Sequence, residues 1–238
     1  MAYYALLGGK SIPHIRDFSL EEKIFAHLNK KPKRILFVPL ATYPDLQSSI
    51  KKFETLIDGK YEIDFLTEVK DPAEARRLFY EAEVIYFGGG KAGVLVEQAK
   101  ILCIDALLKE LNSTDKLFIG ISAGAILFSK LGMGDQYVYK NNLQMWNYKM
   151  VEGLGILPIT VCPHYDHDGL ECYNDVVKKY PYCGYALEDD TAICFDSEVF
   201  VFKGDSKKSV YFFDLENDFI MKPLYERIKK RSLYKIVK

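Results

Sequence analysis

No run of this sequence approaches the roughly 18 consecutive apolar residues that a membrane-spanning helix needs. The opening stretch Met1–Leu7 is apolar but has no basic segment before it, so it is not read as a secretory leader; Tyr3–Leu7 is expected to form a buried strand. An excess of either charge is missing as well. With 32 Lys and Arg against 33 Asp and Glu, the net charge is −1, and neither nucleic acid nor an acidic membrane surface is implied as a partner. Cysteine is sparse, five residues scattered along the chain. An odd, dispersed set excludes a disulfide framework and fits a reducing, cytoplasmic compartment. Internal repeats, low-complexity tracts and a convincing linker are also lacking, so the 238 residues are expected to form one domain spanning 1–238.

What the chain does have is a core-forming composition, 49% hydrophobic and 27% charged, arranged in alternation. Compact runs rich in β-branched and aromatic residues recur at Arg34–Pro39, Tyr61–Leu66, Val84–Phe87 and Leu117–Ile121, as strands buried on both faces should read. Amphipathic stretches lie between them. Leu46, Ile50, Phe53 and Ile57 share one helical face, Val94–Leu111 repeats apolar residues at three- and four-residue steps, and Pro72 suits a first helical turn. Strand and helix in series predict an α/β fold: a three-layer, doubly wound, mostly parallel sheet with helices on both faces. From Thr191 the texture changes. Thr191–Asp196, Glu198–Lys203 and Ser209–Asp214 are close-spaced strands, predicting an antiparallel C-terminal extension, and the basic tail Arg227–Lys238 reads as a terminal helix.

In such sheets chemistry gathers at the carboxyl ends of the strands. Two glycine-rich strand ends stand out, Phe87-Gly88-Gly89-Gly90 and Gly120-Ile121-Ser122-Ala123-Gly124. The second is a G-x-S-x-G elbow, with an apolar strand before it and the helical stretch Ala123–Leu131 after it. A serine on so tight a turn exposes its Oγ, and the amide of Ala123 stands where an oxyanion would form. The same residues would also serve a crossover turn whose small side chains permit close packing.

An elbow serine needs a base, and there are four histidines. His14 falls in a loop and His27 on a surface helix, both solvated. His164 follows the apolar run Ile156–Val161 and Pro163, which fixes the backbone before it at a strand end. His167 lies close by, and with Asp166, Asp168 and His164 could form a small metal cluster; no second ligand cluster supports this, so no metal and no cofactor is expected. For the carboxylate that orients the base, Asp135 in the turn-like Gly132-Met133-Gly134-Asp135, Glu152, Asp166 and Asp189 all compete, and spacing does not choose among them. Gly9-Lys10-Ser11 has the end of a phosphate-binding loop but Tyr4 where that loop requires glycine, which argues against nucleotide binding. Trp146 and the aromatic cluster Tyr137–Tyr148 could line a cleft or a flap.

Gly88-Gly89-Gly90, Gly120–Ala125, Gly153–Leu157, Cys162-Pro163-His164-Tyr165-Asp166 and Tyr185–Asp190 together resemble the S51 family of serine peptidases, which includes peptidase E (aspartyl dipeptidase) and cyanophycinase. The likeness spans residues 3 to 215 and is strongest from 84 to 195. It implies a fold like the class I glutamine amidotransferase domain, with serine at the elbow. It further implies Ser122 as nucleophile, His164 as base, Asp135 as the acidic member, and the amides of Gly90 and Ala123 as oxyanion hole. Gly89, Lys91, Tyr165 and Asp166 are expected near the substrate, a small peptide, in a monomer or homodimer.

Two departures bear on specificity. The chain has Lys91-Ala92 where the family commonly continues with Asn-Thr. The segment His167–Asp175 contains no arginine, where the aspartyl dipeptidases carry one to pair with the substrate's acidic side chain. A dipeptidase of altered preference is therefore expected, with Lys91 as a substitute cation or a solvated surface lysine. An α/β-hydrolase esterase and a non-catalytic binding protein on the same fold are the rival readings.

Overall fold

The computed structural model describes residues 1–10, 17–67, 72–140, 143–196, 198–218, 220–224 and 227–228; residues 135–140, 143–147, 220 and 227–228 enter as backbone. Apolar runs and amphipathic stretches alternate as expected. The first half consists of β1 (Tyr3–Leu7), α1 (Ser19–His27), β2 (Arg34–Val38), α2 (Leu46–Ile57), β3 (Glu62–Phe65), α3 (Pro72–Glu81), β4 (Val84–Phe87), α4 (Ala92–Ile101), α5 (Ile104–Leu111), β5 (Leu117–Ile121) and α6 (Ala123–Phe128). Strands β1, β5, β4, β2 and β3 pair in parallel in that order.

The pleat explains why these strands read as unbroken apolar runs. Successive side chains point to opposite faces, and helices cover both. On β1, Ala5 and Leu7 join Ile24 of α1 and Phe53 of α2, while Tyr4 and Leu6 join Phe79 of α3 and Leu108 of α5 in the cluster on the other face. Phe37 stacks on Phe53 at 3.9 Å. Beneath the same face Glu21 is wholly buried, bound by Lys10 Nζ at 3.0 Å and by the hydroxyl of Tyr86 at 2.8 Å. A buried carboxylate needs such partners, and these fix the segment that follows β1.

The second half adds β6 (Leu131–Lys140), β7 (Leu143–Glu152), β8 (Ile159–Cys162), α7 (Tyr173–Val176), β9 (Cys183–Leu187), β10 (Thr191–Phe195), β11 (Val199–Lys203), β12 (Val210–Asp214), β13 (Ile220–Leu224) and β14 (Arg227–Ile228). The antiparallel extension is divided between two sheets. β10, β11 and β14 continue the first, in the order β14-β11-β10-β1-β5-β4-β2-β3. β12 and β13 belong to a second sheet ordered β13-β12-β9-β8-β6-β7, one face of which shares the core of α3–α6 through Ile159, Val161, Tyr185 and Phe212. No helix among the described residues is long and apolar enough to cross a membrane.

Four local expectations are corrected. Val94–Leu111 is two helices, broken where Cys103 takes a left-handed φ of 54°. The helix after the elbow stops at Phe128, because the chain enters β6 at Leu131. Residues 132–135 are not a turn but the interior of β6, paired with β7 over ten positions. Glycine is used there for close approach: a Cβ on Gly132 would lie 2.5 Å from Ile126 and one on Gly134 2.8 Å from Val151. Arg227 and Ile228 pair with β11 as a strand rather than starting a helix; the rest of the tail lies outside the described residues.

The elbow is tightly packed. A Cβ on Gly120 would overlap the carbonyl of Gly124, and one on Gly124 would overlap the carbonyl of Phe87 in the neighbouring strand. Gly120→Ala is expected to lower stability by about 2–3 kcal/mol, read as a fall in the denaturant midpoint with an unchanged slope. A midpoint equal to wild type would show that the turn can shift without loss.

Candidate active site

Five strand ends converge. The chain leaves β1 through Gly8-Gly9, β4 through Gly88-Gly89-Gly90, β5 through Ser122, β8 through Pro163-His164 and β9 through Glu188-Asp189. Parallel pairing within each sheet puts the carboxyl ends of its strands on one side, where side chains from distant parts of the sequence can meet.

Ser122 is held in a strained conformation, φ 55° and ψ −111°, between β5 and α6. A non-glycine residue at positive φ stores about 1–3 kcal/mol and persists only where its surroundings enforce it. They do so here on both sides. Ser122 N–H donates to Leu7 C=O at 3.0 Å, and its own carbonyl accepts from the amides of Ala125 at 2.9 Å and Ile126 at 3.2 Å. The elbow thereby projects Oγ toward Gly89, where a Cβ would stand 3.8 Å away.

His164 is fixed by the same logic. Its φ is also positive, 54°, its N–H donates to Gly8 C=O at 3.2 Å, and its carbonyl accepts from His167 N–H at 2.8 Å. The imidazole then bridges two partners. Nε2 lies 2.9 Å from Ser122 Oγ, and Nδ1 lies 2.6 Å from Asp189 Oδ1. Gly9 makes room for the pair: any Cβ at that position would overlap both the His164 ring and the Asp189 carboxylate. The Asp189 loop is clamped in turn. Asp189 N–H donates to Asp166 Oδ1 at 2.9 Å, Asp190 N–H to Gly9 C=O at 3.0 Å, and Lys208 binds the other oxygen of Asp166.

The carboxylate on His164 Nδ1 is therefore that of Asp189, not Asp135. Asp135 stands in β6 opposite Tyr148, and its side chain lies outside the described residues. Asp189 was one of four acidic candidates in the sequence, and no spacing rule separates them; a loop between β9 and β10 reaches His164 only because β9 pairs in parallel with β8. Asp189 Oδ2 accepts a second bond, from His167 Nε2 at 3.0 Å. Burial pushes the Asp189 carboxyl up, but the hydrogen bonds and charge of His164, then of His167, outweigh this and hold it below the usual aspartate range. His164, His167 and Asp189 offer ligand atoms within 4.8 Å of one another. One carboxylate bonded to two imidazoles accounts for that spacing.

A cleft of about 470 Å³ opens over Ser122 and His164, its apolar wall formed by Ile126, Met133, Pro163 and Leu170 with Tyr148, and its polar rim by His167 and Asp168. A second depression, shared by Ser122, Gly90 and Lys91, runs toward Asp45 and Lys149. A third contains Gly89, Lys10 and Lys52. Gly89, Gly90, Lys91 and Ala123 line the depressions that contain the serine. Tyr165 and Asp166 do not. Tyr165 bonds Asn174 at 2.8 Å and packs on Tyr211, and Asp166 supports the Asp189 loop. Of the Tyr137–Tyr148 cluster, Tyr148 lines the cleft, whereas the side chains of residues 137–140 and 143–147, Trp146 included, lie outside the described residues, as do residues 141–142 and His14. The contribution of Gly8-Gly9 and the bond from His167 to Asp189 are not legible in the sequence, because each joins residues far apart along the chain.

Comparison with known proteins places the chain in a family. The model of peptidase family S51 matches residues 5–202. The uncharacterized peptidase YgaJ of Bacillus subtilis (strain 168) is 30% identical over 196 residues, covering 80% of this chain and 81% of that protein. A peptidase from an acI-B1 Actinobacterium superposes with a TM-score of 0.68 at 18% identity, covering 96% of this chain and 97% of that one. A Listeria monocytogenes EGD-e protein, assigned provisionally as a peptidase E, superposes with a TM-score of 0.63 at 20% identity, covering 86% of this chain and all of that one. These last two likenesses are likenesses of fold.

Two outcomes are expected for Asp189→Asn. The amide holds His164 in the wrong tautomer, so kcat should fall about 10³–10⁴-fold, against a small loss for Asp135→Asn measured alongside. The reverse pattern would return the acidic role to Asp135. The second outcome concerns stability. A carboxyl lowered by folding contributes stability that is present above its unfolded pKa and is lost as pH falls through the folded one. Denaturant titrations should therefore show the wild-type advantage over Asp189→Asn at pH ~6 shrinking below pH ~4.

Proposed function

From membership of peptidase family S51, to which this chain belongs, we propose that Ser122, His164 and Asp189 act as a catalytic triad that cleaves dipeptides or short peptides. The observation that carries this reading is the unbroken line Ser122 Oγ–His164 Nε2, His164 Nδ1–Asp189 Oδ1, at 2.9 and 2.6 Å, on the floor of an open cleft. His164 takes the Ser122 proton as Oγ attacks the scissile carbonyl, and Asp189 stabilises the imidazolium that forms. The amides of Gly90 and Ala123 receive the oxyanion; among the described residues, neither N–H has a backbone acceptor. His164 then protonates the leaving amine, and water resolves the acyl-enzyme by the same route.

The cleft chemistry supports a neutral rather than an acidic side chain at the residue whose carbonyl is attacked. Its walls are apolar, its rim carries Asp168, and no arginine lines it among the described residues. An aspartyl side chain there would lose its hydration and meet a like charge instead of a guanidinium fork. Asp168 is suited instead to a free α-ammonium. Lys91 opens onto the neighbouring depression with Lys149, where the leaving residue's carboxylate would pass.

A panel of dipeptides with acidic, neutral and basic N-terminal residues tests this against Ser122→Ala. Neutral apolar members should be cleaved at least ~10-fold faster in kcat/KM than their aspartyl counterparts, as a lost charge pair of ~1.4 kcal/mol or more requires. Ser122→Ala should abolish turnover of all. Preferred cleavage of the aspartyl members would overturn the specificity, and turnover surviving in Ser122→Ala would overturn the mechanism.

A further inference from the structure

We propose that His167 is a positioning residue for the triad: it holds the free oxygen of the Asp189 carboxylate and, by competing for that carboxylate, sets the basicity of His164. The inference rests on the triad reading above and adds to it a fourth member. Asp189 is nearly buried and fully engaged, with Oδ1 on His164 Nδ1 at 2.6 Å and Oδ2 on His167 Nε2 at 3.0 Å. The two imidazoles are neighbours, with ring centroids 4.8 Å apart and planes tilted by 34°. Their backbones are linked as well, His167 N–H donating to His164 C=O at 2.8 Å. With one oxygen bound, a carboxylate can still rotate about its Cβ–Cγ bond. With both bound to residues of one tight turn, its plane is fixed, and so is the Nδ1–H tautomer that leaves Nε2 free to take the Ser122 proton.

The same geometry couples the two imidazoles through one carboxylate. Neutral His167 donates Nε2–H to Asp189. Once protonated, it places a cation beside His164 and claims part of the carboxylate that stabilises the His164 imidazolium. The other charges facing this pair come from the surrounding turns. Asp168 lies at the cleft rim beside His167; Asp166 receives the Asp189 N–H and is paired to Lys208, whose charge also reaches Asp189; and Glu188 is engaged by the Ser209 N–H and the Tyr211 hydroxyl. None of these carboxylates hydrogen-bonds either imidazole among the described residues, so the exchange is confined to His164, Asp189 and His167.

The test uses the full chain labelled with ¹⁵N-histidine. The imidazole titration of His164 is followed by NMR, and Ser122 labelling by a fluorophosphonate is timed across the same pH range. His167→Gln keeps a donor without a titratable charge, and the His164 midpoint should rise by about 0.5 unit while the plateau labelling rate stays within ~3-fold of wild type. His167→Ala removes the donor; the midpoint should rise likewise and the plateau rate should fall ~10-fold. An identical His164 midpoint in all three proteins would overturn the proposal, as would a plateau rate unchanged in His167→Ala. Equal losses in both variants with no midpoint shift would reduce His167 to a packing residue and overturn it too. A shifted midpoint without labelling of wild-type Ser122 would sink the nucleophile assignment and still support the control of His164 by His167.

Discussion

The bond between His164 and Asp189 joins two strand ends across a gap that exists only because Gly9 carries no side chain. Any Cβ there would overlap both partners, so the exit of β1 must pass beneath them as bare backbone. That backbone also does the fastening: Gly8 accepts from His164 N–H, and Gly9 from Asp190 N–H. Leu7, one residue earlier, accepts from Ser122 N–H. Three consecutive carbonyls of one strand end thus set the positions of Ser122, His164 and the Asp189 loop. A change in how β1 leaves the sheet would displace all three at once.

Strain is concentrated at the same place. Ser122 and His164 both adopt positive φ, each held by backbone hydrogen bonds on its amide and its carbonyl. The energy for this comes from the core beneath the sheet, where strand residues are buried on both faces and aromatic rings such as Phe37 and Phe53 stack directly. Lys10, the residue after Gly9, is held by charge in a buried trio with Glu21 and Tyr86 rather than by a strand ladder. Beyond the strand ends, the cleft is lined by residues of α4, α6, β6, β7 and the segment after His164, whose chemistry can vary without disturbing those ends.

Several features of the molecule can be read directly from the chain. β1, α2, β4 and β5 run between the residues that periodicity marked, because burial on both faces leaves a continuous apolar run and a one-sided helix leaves a 3.6-residue stripe. The elbow is legible for a similar reason: Gly120, Ser122 and Gly124 obey a steric rule confined to five consecutive residues. Where expectation failed, a non-local force had overridden a local one. Gly132 and Gly134 suggest a turn by propensity, but ten rungs of pairing with β7 make them strand, and the glycines serve the approach of Ile126 and Val151.

The sequence by itself determined the α/β alternation, the serine at its elbow and the histidine behind a proline, since each is written in contiguous residues. Only the tertiary structure decided which carboxylate serves that histidine. Asp135, Glu152, Asp166 and Asp189 are chemically equivalent on paper, and hydrogen bonds reach no further than about 3 Å. The parallel pairing of β8 with β9, and of β1 with β5, carries Asp189 to His164 and His167, and His164 to Ser122. That selection is made by strand order and register, which depend on how the whole core closes.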